Sequence, residues 1–108
     1  MLSLYTSYSL HFIFPLILIW RLKELGQYRQ AIEIFNTTIL YKPDLAVAYY
    51  AKGISLCELG QHQKEIKHYG TAIQYNPNDA DFYIGKGISL YELGQHQEAI
   101  DLFRNWLR

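Results

Sequence analysis

One fifteen-residue stretch occurs twice in the chain, almost unchanged, and this repetition constrains the fold more than any other feature. Residues 52–66 read KGISLCELGQHQKEI, and residues 86–100 read KGISLYELGQHQEAI. Twelve of the fifteen letters agree, at an offset of 34 residues. A weaker third copy, LGQYRQAIEIFNTTILYKPD, lies upstream at residues 25–44 in the same register. A fixed period of this length is typical of repeat architectures, in which each unit packs against its neighbours.

Each unit predicts a pair of helices joined at a glycine. Gly26, Gly60 and Gly94 are 34 residues apart, and a glycine in such a place closes a helix. Apolar residues recur at spacings of three and four on both sides of the second and third glycines, as on one face of a helix. Pro43 and Pro77 end the second helices of the first two units, because proline disfavours helix in the residue before it. The sequence therefore predicts an all-α fold of antiparallel helix pairs.

This pattern resembles the tetratricopeptide repeat (TPR) family, whose 34-residue units carry aromatic, small and proline residues at fixed positions. The resemblance implies a right-handed helical solenoid with a degenerate repeat at 12–45, a repeat at 46–79 and a truncated repeat at 80–108. Residues 1–11 precede these units, either as part of an anchor or as part of a capping helix. The matching residues are Gly26, Ala31, Phe35 and Pro43 in the first unit; Tyr49, Gly53, Leu56, Gly60, Tyr69, Ala72 and Pro77 in the second; and Tyr83, Gly87, Leu90, Gly94, Ala99 and Phe103 in the third.

Two large side chains stand where the family has small ones. Glu65 lies where the helices of the second unit should cross, and we expect its stem to carry the carboxylate out to water, since an unpaired buried carboxylate is costly. Trp106 lies where it would obstruct the stacking of a further repeat. Together with Leu102 it points towards a face that no later helix covers, so we expect self-association through this C-terminal edge.

In the family, the first helices of successive units line a concave groove, and the resemblance maps that groove onto this chain. The mapped residues form an apolar, aromatic stripe with an acidic rim, distinct from the packing stripe. We expect it to bind a hydrophobic peptide or amphipathic helix, with Tyr50 and Tyr91 as exposed anchors. An alternative is that Ile54, Ile84 and Ile88 only pack between neighbouring helices. The mapped residues are Val47, Tyr50, Ala51, Ile54, Cys57, Glu58, Asp81, Ile84, Ile88, Tyr91 and Glu92.

No residue pattern indicates catalysis, a cofactor or a metal. Cys57 has no histidine three or four residues away, so we expect a small apolar filler and not a nucleophile. His62 and His96 are equivalent turn residues, and the close ligand spacing of a zinc site is absent. Ten basic residues balance ten acidic ones, which leaves no basic surplus for nucleic acid. The expected function is therefore a non-enzymatic scaffold that binds a protein or peptide partner.

The first twenty residues carry no Lys, Arg, Asp or Glu, yet their unbroken apolar run covers only residues 12–20. A membrane-spanning helix needs about 20 apolar residues, so we expect a first packing helix and a cytoplasmic protein. The alternative is a membrane-tethered subunit anchored by residues 1–20, with Arg21, Lys23 and Arg29 keeping the repeats on the cytoplasmic side. A third possibility is a fragment of a longer repeat array without independent function.

Overall fold

The computed structural model describes the backbone of residues 2–108 and the side chains of residues 17, 18 and 20–108. Over this range the chain forms five α-helices and no strand: α1 (Leu2–Tyr41), α2 (Ala46–Glu58), α3 (His62–Tyr75), α4 (Ala80–Glu92) and α5 (His96–Leu107). Each helix packs against the helix before it and the helix after it. The predicted all-α fold of stacked helices is confirmed.

Tight glycine turns join α2 to α3 and α4 to α5. Gly60 and Gly94 have positive φ angles of 76° and 82°, a conformation that residues with a side chain rarely adopt. At the first turn, the Gly60 N–H donates to the Cys57 carbonyl and the Gln61 N–H donates to the Leu56 carbonyl. This pair of bonds satisfies carbonyls that the end of a helix leaves free. The glycine-closed helix pairs predicted for the second and third units are confirmed.

A second glycine in each of these units sets how closely its two helices approach. A Cβ atom built on Gly53 of α2 would lie 2.5 Å from Cε1 of Tyr69 in α3. In the next unit, a Cβ on Gly87 would overlap the Phe103 ring in the same way. The aromatic ring of the second helix therefore rests directly on the backbone of the first, and Tyr69 is 4% exposed.

The first unit does not form the predicted helix pair. Helix α1 passes through Gly26 without a turn, although Glu-Leu-Gly-Gln has the same letters at residues 24–27, 58–61 and 92–95. Gly26 is not among the positive-φ glycines. The sequence of the first unit lacks the glycine that lets an aromatic ring contact the helix backbone in the other two units, since residue 19 is isoleucine at the position of Gly53 and Gly87.

The C-terminal half of α1 runs along α2, and the Arg21 guanidinium donates a 3.3 Å hydrogen bond to the Glu58 carbonyl at the end of α2. Further towards the N-terminus, Ile17, Leu18 and Trp20 are 51–63% exposed, so the expectation that this segment packs on neighbouring helices is wrong for these three side chains. Among the described residues, no helix has both the length and the hydropathy needed to cross a bilayer. Most of the predicted anchor at residues 1–20 lies outside the described side chains.

Candidate functional site

The exposed apolar face of α2 and α4 contains the residues predicted to line a groove. Val47, Ile54, Ile84, Ile88 and Tyr91 are each at least 42% exposed. The isoleucines are therefore not buried between neighbouring helices, contrary to the alternative interpretation. The acidic residues of the set are also exposed, whereas three members are half-buried. The exposed acidic residues are Glu58, Asp81 and Glu92, and the half-buried residues are Tyr50, Ala51 and Cys57. We call this surface the groove face.

Tyr50 is a packing residue rather than the exposed anchor that the sequence predicted. Its ring centroid lies 4.9 Å from that of Phe82 and 5.4 Å from that of Tyr69. The pKa of its hydroxyl is raised, first by burial and then by the negative charge of Asp81. Tyr50 of α2 therefore packs against both α3 and α4, because contact with two aromatic rings is more favourable than exposure of its own ring to water. Tyr91, at 62% exposed, does occupy an exposed place.

The groove face ends in an open apolar cleft of about 400 Å³ between α4 and α5, which we call the terminal cleft. Its lining combines groove-face residues with the inner face of α5. The lining residues are Gly87, Ile88, Tyr91, Glu92, Ala99, Ile100 and Phe103. In the preceding unit, α4 packs on α3, and Glu65 and Tyr69, the equivalents of Ala99 and Phe103, are buried. The terminal cleft is therefore the place where a further helix would continue the stack.

The carboxylate of Glu65 is buried, and the prediction that it reaches water is wrong. Glu65 is 1% exposed. The Ser89 hydroxyl donates a hydrogen bond to its Oε2 atom, and His62 Nδ1 lies 2.9 Å from its Oε1 atom. Among the described residues, no buried side-chain nitrogen or oxygen lacks a partner. Hydrogen bonds from two different helices thus offset the cost of burying the carboxylate.

Cys57 lies next to this carboxylate, at the end of α2. Burial, and after it the negative charge of Glu65, raise the pKa of the Cys57 thiol to about 11. The thiol therefore stays protonated near neutral pH, and a protonated thiol is a poor nucleophile. This environment does not suit covalent catalysis at Cys57.

The turn between α2 and α3 brings together three groups that can bind a metal. One ligand atom each from Cys57, His62 and Glu65 lies within 4.8 Å of the other two. Spacing along a single helix does not predict this arrangement, since a turn separates Cys57 from the other two residues. A comparison of the two units does point to these residues, because the second unit has Cys57 and Glu65 where the otherwise similar third unit has Tyr91 and Ala99.

Comparison with known proteins supports the repeat assignment. A family model described as TPR repeat matches residues 53–94, which contain α3 and the turns on both sides of it. Residues 53–94 thus match the tetratricopeptide repeat family. The resemblance drawn from the sequence is thereby confirmed, and the groove face comprises the first helices of the second and third units.

The fold is also shared with solved structures of MamA. The chain superposes on "MamA 41-end from Desulfovibrio magneticus RS-1" with a TM-score of 0.71 and 22% identity, covering 80% of this chain and 49% of that one. For "MamA AMB-1", the TM-score is 0.67 and the identity 20%, with 77% and 45% covered. The chain thus spans about half the length of the solved structures it matches. A search of curated protein sequences found no match.

The C-terminal edge of the last TPR unit is partly covered by its own residues. The Trp106 ring stacks on Tyr83 of α4 with centroids 5.4 Å apart, and it remains 37% exposed. Leu102 is half-buried. Ile100 and Leu107, which belong to the same helix, are 49% and 76% exposed. The apolar surface at this edge is therefore wider than the two residues that the sequence indicated.

Proposed function

We propose that this TPR chain is a non-enzymatic interaction module that binds an amphipathic helix at the groove face, with the terminal cleft as its main anchoring point. The open cleft carries this proposal, because its counterpart in the preceding unit is filled by α4. Apolar clefts of this kind suit helices that present anchors at spacings of three and four residues. A helix of a second copy belongs to the same class of partner.

The way α4 packs on α2 and α3 indicates which helix would fit. Phe82 contributes an aromatic ring that is 2% exposed. Three residues later comes Gly85, where a Cβ atom would lie 3.4 Å from the rings of both Tyr50 and Tyr69. A helix seated in this manner therefore presents an aromatic residue followed, three positions on, by glycine or alanine.

The terminal cleft differs from the equivalent site of the second unit at one residue, and this difference changes which side chain the partner helix should present. Where the second unit has the buried carboxylate of Glu65, the third unit has Ala99. The α4 helix meets the carboxylate with the Ser89 hydroxyl. A helix in the terminal cleft would meet a methyl group instead, so we expect an apolar residue in the place of that serine.

The charge around the groove face indicates which residues should lie beside the apolar stripe of the bound helix. The acidic rim residues Glu58, Asp81 and Glu92 are exposed. Opposite charge across the rim of an interface speeds encounter and fixes orientation more than it adds affinity. We therefore expect Lys or Arg beside the apolar stripe of the bound helix. The balanced net charge of the chain gives no support to a nucleic-acid partner, and we place the module in the cytoplasm.

A labelled peptide with the sequence of residues 79–93, carrying alanine in place of the serine, is a direct probe of this proposal. Its binding to the full chain would be followed by fluorescence anisotropy. Ile88→Glu places a charge in the terminal cleft and should weaken binding at least tenfold. Ile34→Glu is the control, because it places the same charge at an exposed site on α1, outside both the groove face and the terminal cleft. Equal losses for both variants, or no binding by the wild type, would overturn the proposal.

A further inference from the structure

We propose that Cys57, His62 and Glu65 form a binding site for one divalent transition-metal ion with the preferences of zinc. The site lies at the turn between α2 and α3, on the side of the second unit that faces α4. It uses three protein ligands and leaves a fourth position for water. It is independent of helix binding in the terminal cleft, because none of its three residues lines that cleft.

The distances suit tetrahedral coordination. Zinc bonds of about 2.0–2.3 Å place two ligand atoms roughly 3.4–3.6 Å apart in a tetrahedron. In the structure, His62 Nδ1 lies 2.9 Å from the Glu65 carboxylate, and all three ligand atoms lie within 4.8 Å of one another. The measured separation of His62 and Glu65 is slightly shorter than the tetrahedral value, and the 4.8 Å limit keeps the third ligand atom within reach of the same ion. The three ligands are thus already gathered, and small side-chain adjustments would admit an ion.

The donor set favours zinc over the hard cations. A thiolate, an imidazole and a carboxylate are all common zinc ligands, whereas Mg²⁺ and Ca²⁺ prefer oxygen ligands alone. Binding replaces the proton of the Cys57 thiol with the metal, and that proton leaves to solvent. The bound cation also compensates the negative charge of Glu65, which lies beside the sulfur.

The surroundings hold the ligands in place. The Ser89 hydroxyl occupies Oε2 of Glu65 and leaves Oε1 directed towards His62. Hydrogen bonds of this kind orient a metal-binding carboxylate. Gly60 fixes the turn that separates Cys57 from His62. The His62 side chain is 36% exposed, which gives solvent access to the site.

The third unit supplies an independent observation within the same chain. Its fifteen-residue stretch differs from that of the second unit at three positions. At two of these three positions, the second unit has the proposed ligands Cys57 and Glu65, whereas the third unit has Tyr91 and Ala99. The histidine is kept as His96, and there it stacks on the Tyr91 ring with centroids 4.3 Å apart. The same helix turn thus carries an aromatic pair in one unit and a ligand set in the other.

Cobalt titration under reducing conditions tests the proposal, because a thiolate bound to Co²⁺ gives a charge-transfer absorption that histidine and carboxylate ligands do not. We expect this band to saturate at one Co²⁺ per chain and to disappear when Zn²⁺ displaces the cobalt. Competition with a chromogenic chelator then gives the zinc affinity. A wild type without the band, or one that binds zinc no more tightly than the Cys57→Tyr/Glu65→Ala variant described next, would overturn the proposal.

Two sets of variants sharpen the test. Cys57→Tyr/Glu65→Ala gives the second unit the residues of the third, and we expect it to fold, lose the charge-transfer band and bind zinc at least 100-fold more weakly. His68→Ala removes a histidine outside the site and should leave the affinity unchanged, so an equal loss in this control would indicate adventitious binding. The reverse exchange, Tyr91→Cys/Ala99→Glu, should raise the stoichiometry to two ions per chain. A folded double variant that takes no second ion would overturn the claim that these three residues suffice.

Discussion

The Ser89 hydroxyl of α4 donates a hydrogen bond to the carboxylate of Glu65 in α3, across the boundary between the second and third units. Both residues are buried, at 4% and 1% exposed. Stacked repeats mainly bury apolar surface against one another. Here a polar pair lies at the centre of the contact, so the stability of the stack depends on keeping the carboxylate fully paired.

Replacing Ser89 with alanine should lower the free energy of unfolding by about 1–3 kcal/mol, the usual cost of leaving a buried polar group without its partner. Ser55→Ala is the matched control, because Ser55 is the equivalent residue of the second unit and its hydroxyl only donates to the Ala51 carbonyl of its own helix. It should cost less than about 1 kcal/mol. Urea unfolding followed by circular dichroism measures both. Equal costs would contradict a special role for the Ser89–Glu65 pair.

Alanine substitutions of Gly26 and Gly60, which occupy equivalent sequence positions, should change the free energy of unfolding in opposite directions. Gly26→Ala should stabilise the chain by roughly 0.5–1 kcal/mol, because alanine favours the helix interior and the new Cβ would meet no atom within 4 Å beyond its own stretch of helix. Gly60→Ala should destabilise it by about 1–2 kcal/mol, since φ there is positive. Thermal and urea unfolding distinguish the two. A destabilised Gly26→Ala variant would show that the first unit is a hairpin after all.

Alanine substitutions of Tyr50 and Tyr91 should lower the free energy of unfolding by different amounts, because the first ring is packed and the second is exposed. Tyr50→Ala removes a ring that contacts Phe82 and Tyr69, and we expect a loss of about 2–3 kcal/mol in the free energy of unfolding. Tyr91→Ala removes a ring that is 62% exposed and should cost less than about 1 kcal/mol. The same urea experiments report both values. Similar losses would mean that the two rings are equally buried.

Stability should fall as the solution becomes alkaline. The pKa of the Cys57 thiol is raised from 9.0 to about 11, and burial likewise raises the pKa of the Tyr69 hydroxyl. Above pH 9 the unfolded chain loses these protons while the folded chain keeps them, so the free energy of unfolding decreases as pH rises. Urea midpoints at pH 7, 9 and 10.5 measure the trend. Cys57→Ser should show a shallower decline between pH 9 and 10.5, and an unchanged decline would exclude Cys57 as a cause.

The C-terminal edge should promote self-association, because Ile100, Trp106 and Leu107 leave apolar surface in water. Sedimentation of the wild type should show dimers at high concentration, and Leu102→Glu should shift the population to monomers. Leu102 is the better choice for this test than Trp106, whose ring stacks on Tyr83 within the chain. Ile34→Glu, at an exposed site on α1, is the matched control and should leave dimers intact. A wild type that stays monomeric would refute this prediction.

Most of the fold follows from the repeat register, because a 34-residue period with glycines at residues 60 and 94 specifies helix, turn and helix twice. The first unit shows the limit of that inference. The letters Glu-Leu-Gly-Gln are identical at Gly26 and Gly60, yet only the second forms a turn. The first unit has isoleucine at residue 19 where the other two have Gly53 and Gly87, and the effect of such an exchange arises only when two helices pack together.

The buried polar cluster was harder to foresee. Spacing along one helix could not reveal that Glu65 would find Ser89, which lies 24 residues away in the next unit. Nor could it place Cys57 beside His62, since a turn separates them. Aligning the units with each other, instead of searching each helix alone, would have drawn attention to Cys57 and Glu65 as paired departures.

Because α1 is uninterrupted, it also affects how the molecule resists a pulling force. A pull on the N-terminal half of α1 travels along the helix axis and loads the α1–α2 contact in shear, so the bond from Arg21 to the Glu58 carbonyl and the neighbouring contacts resist together. A hairpin in the same place would be peeled apart one contact at a time, which requires less force. Tension applied from this side should therefore reach the TPR pairs behind α2 before the first helix detaches.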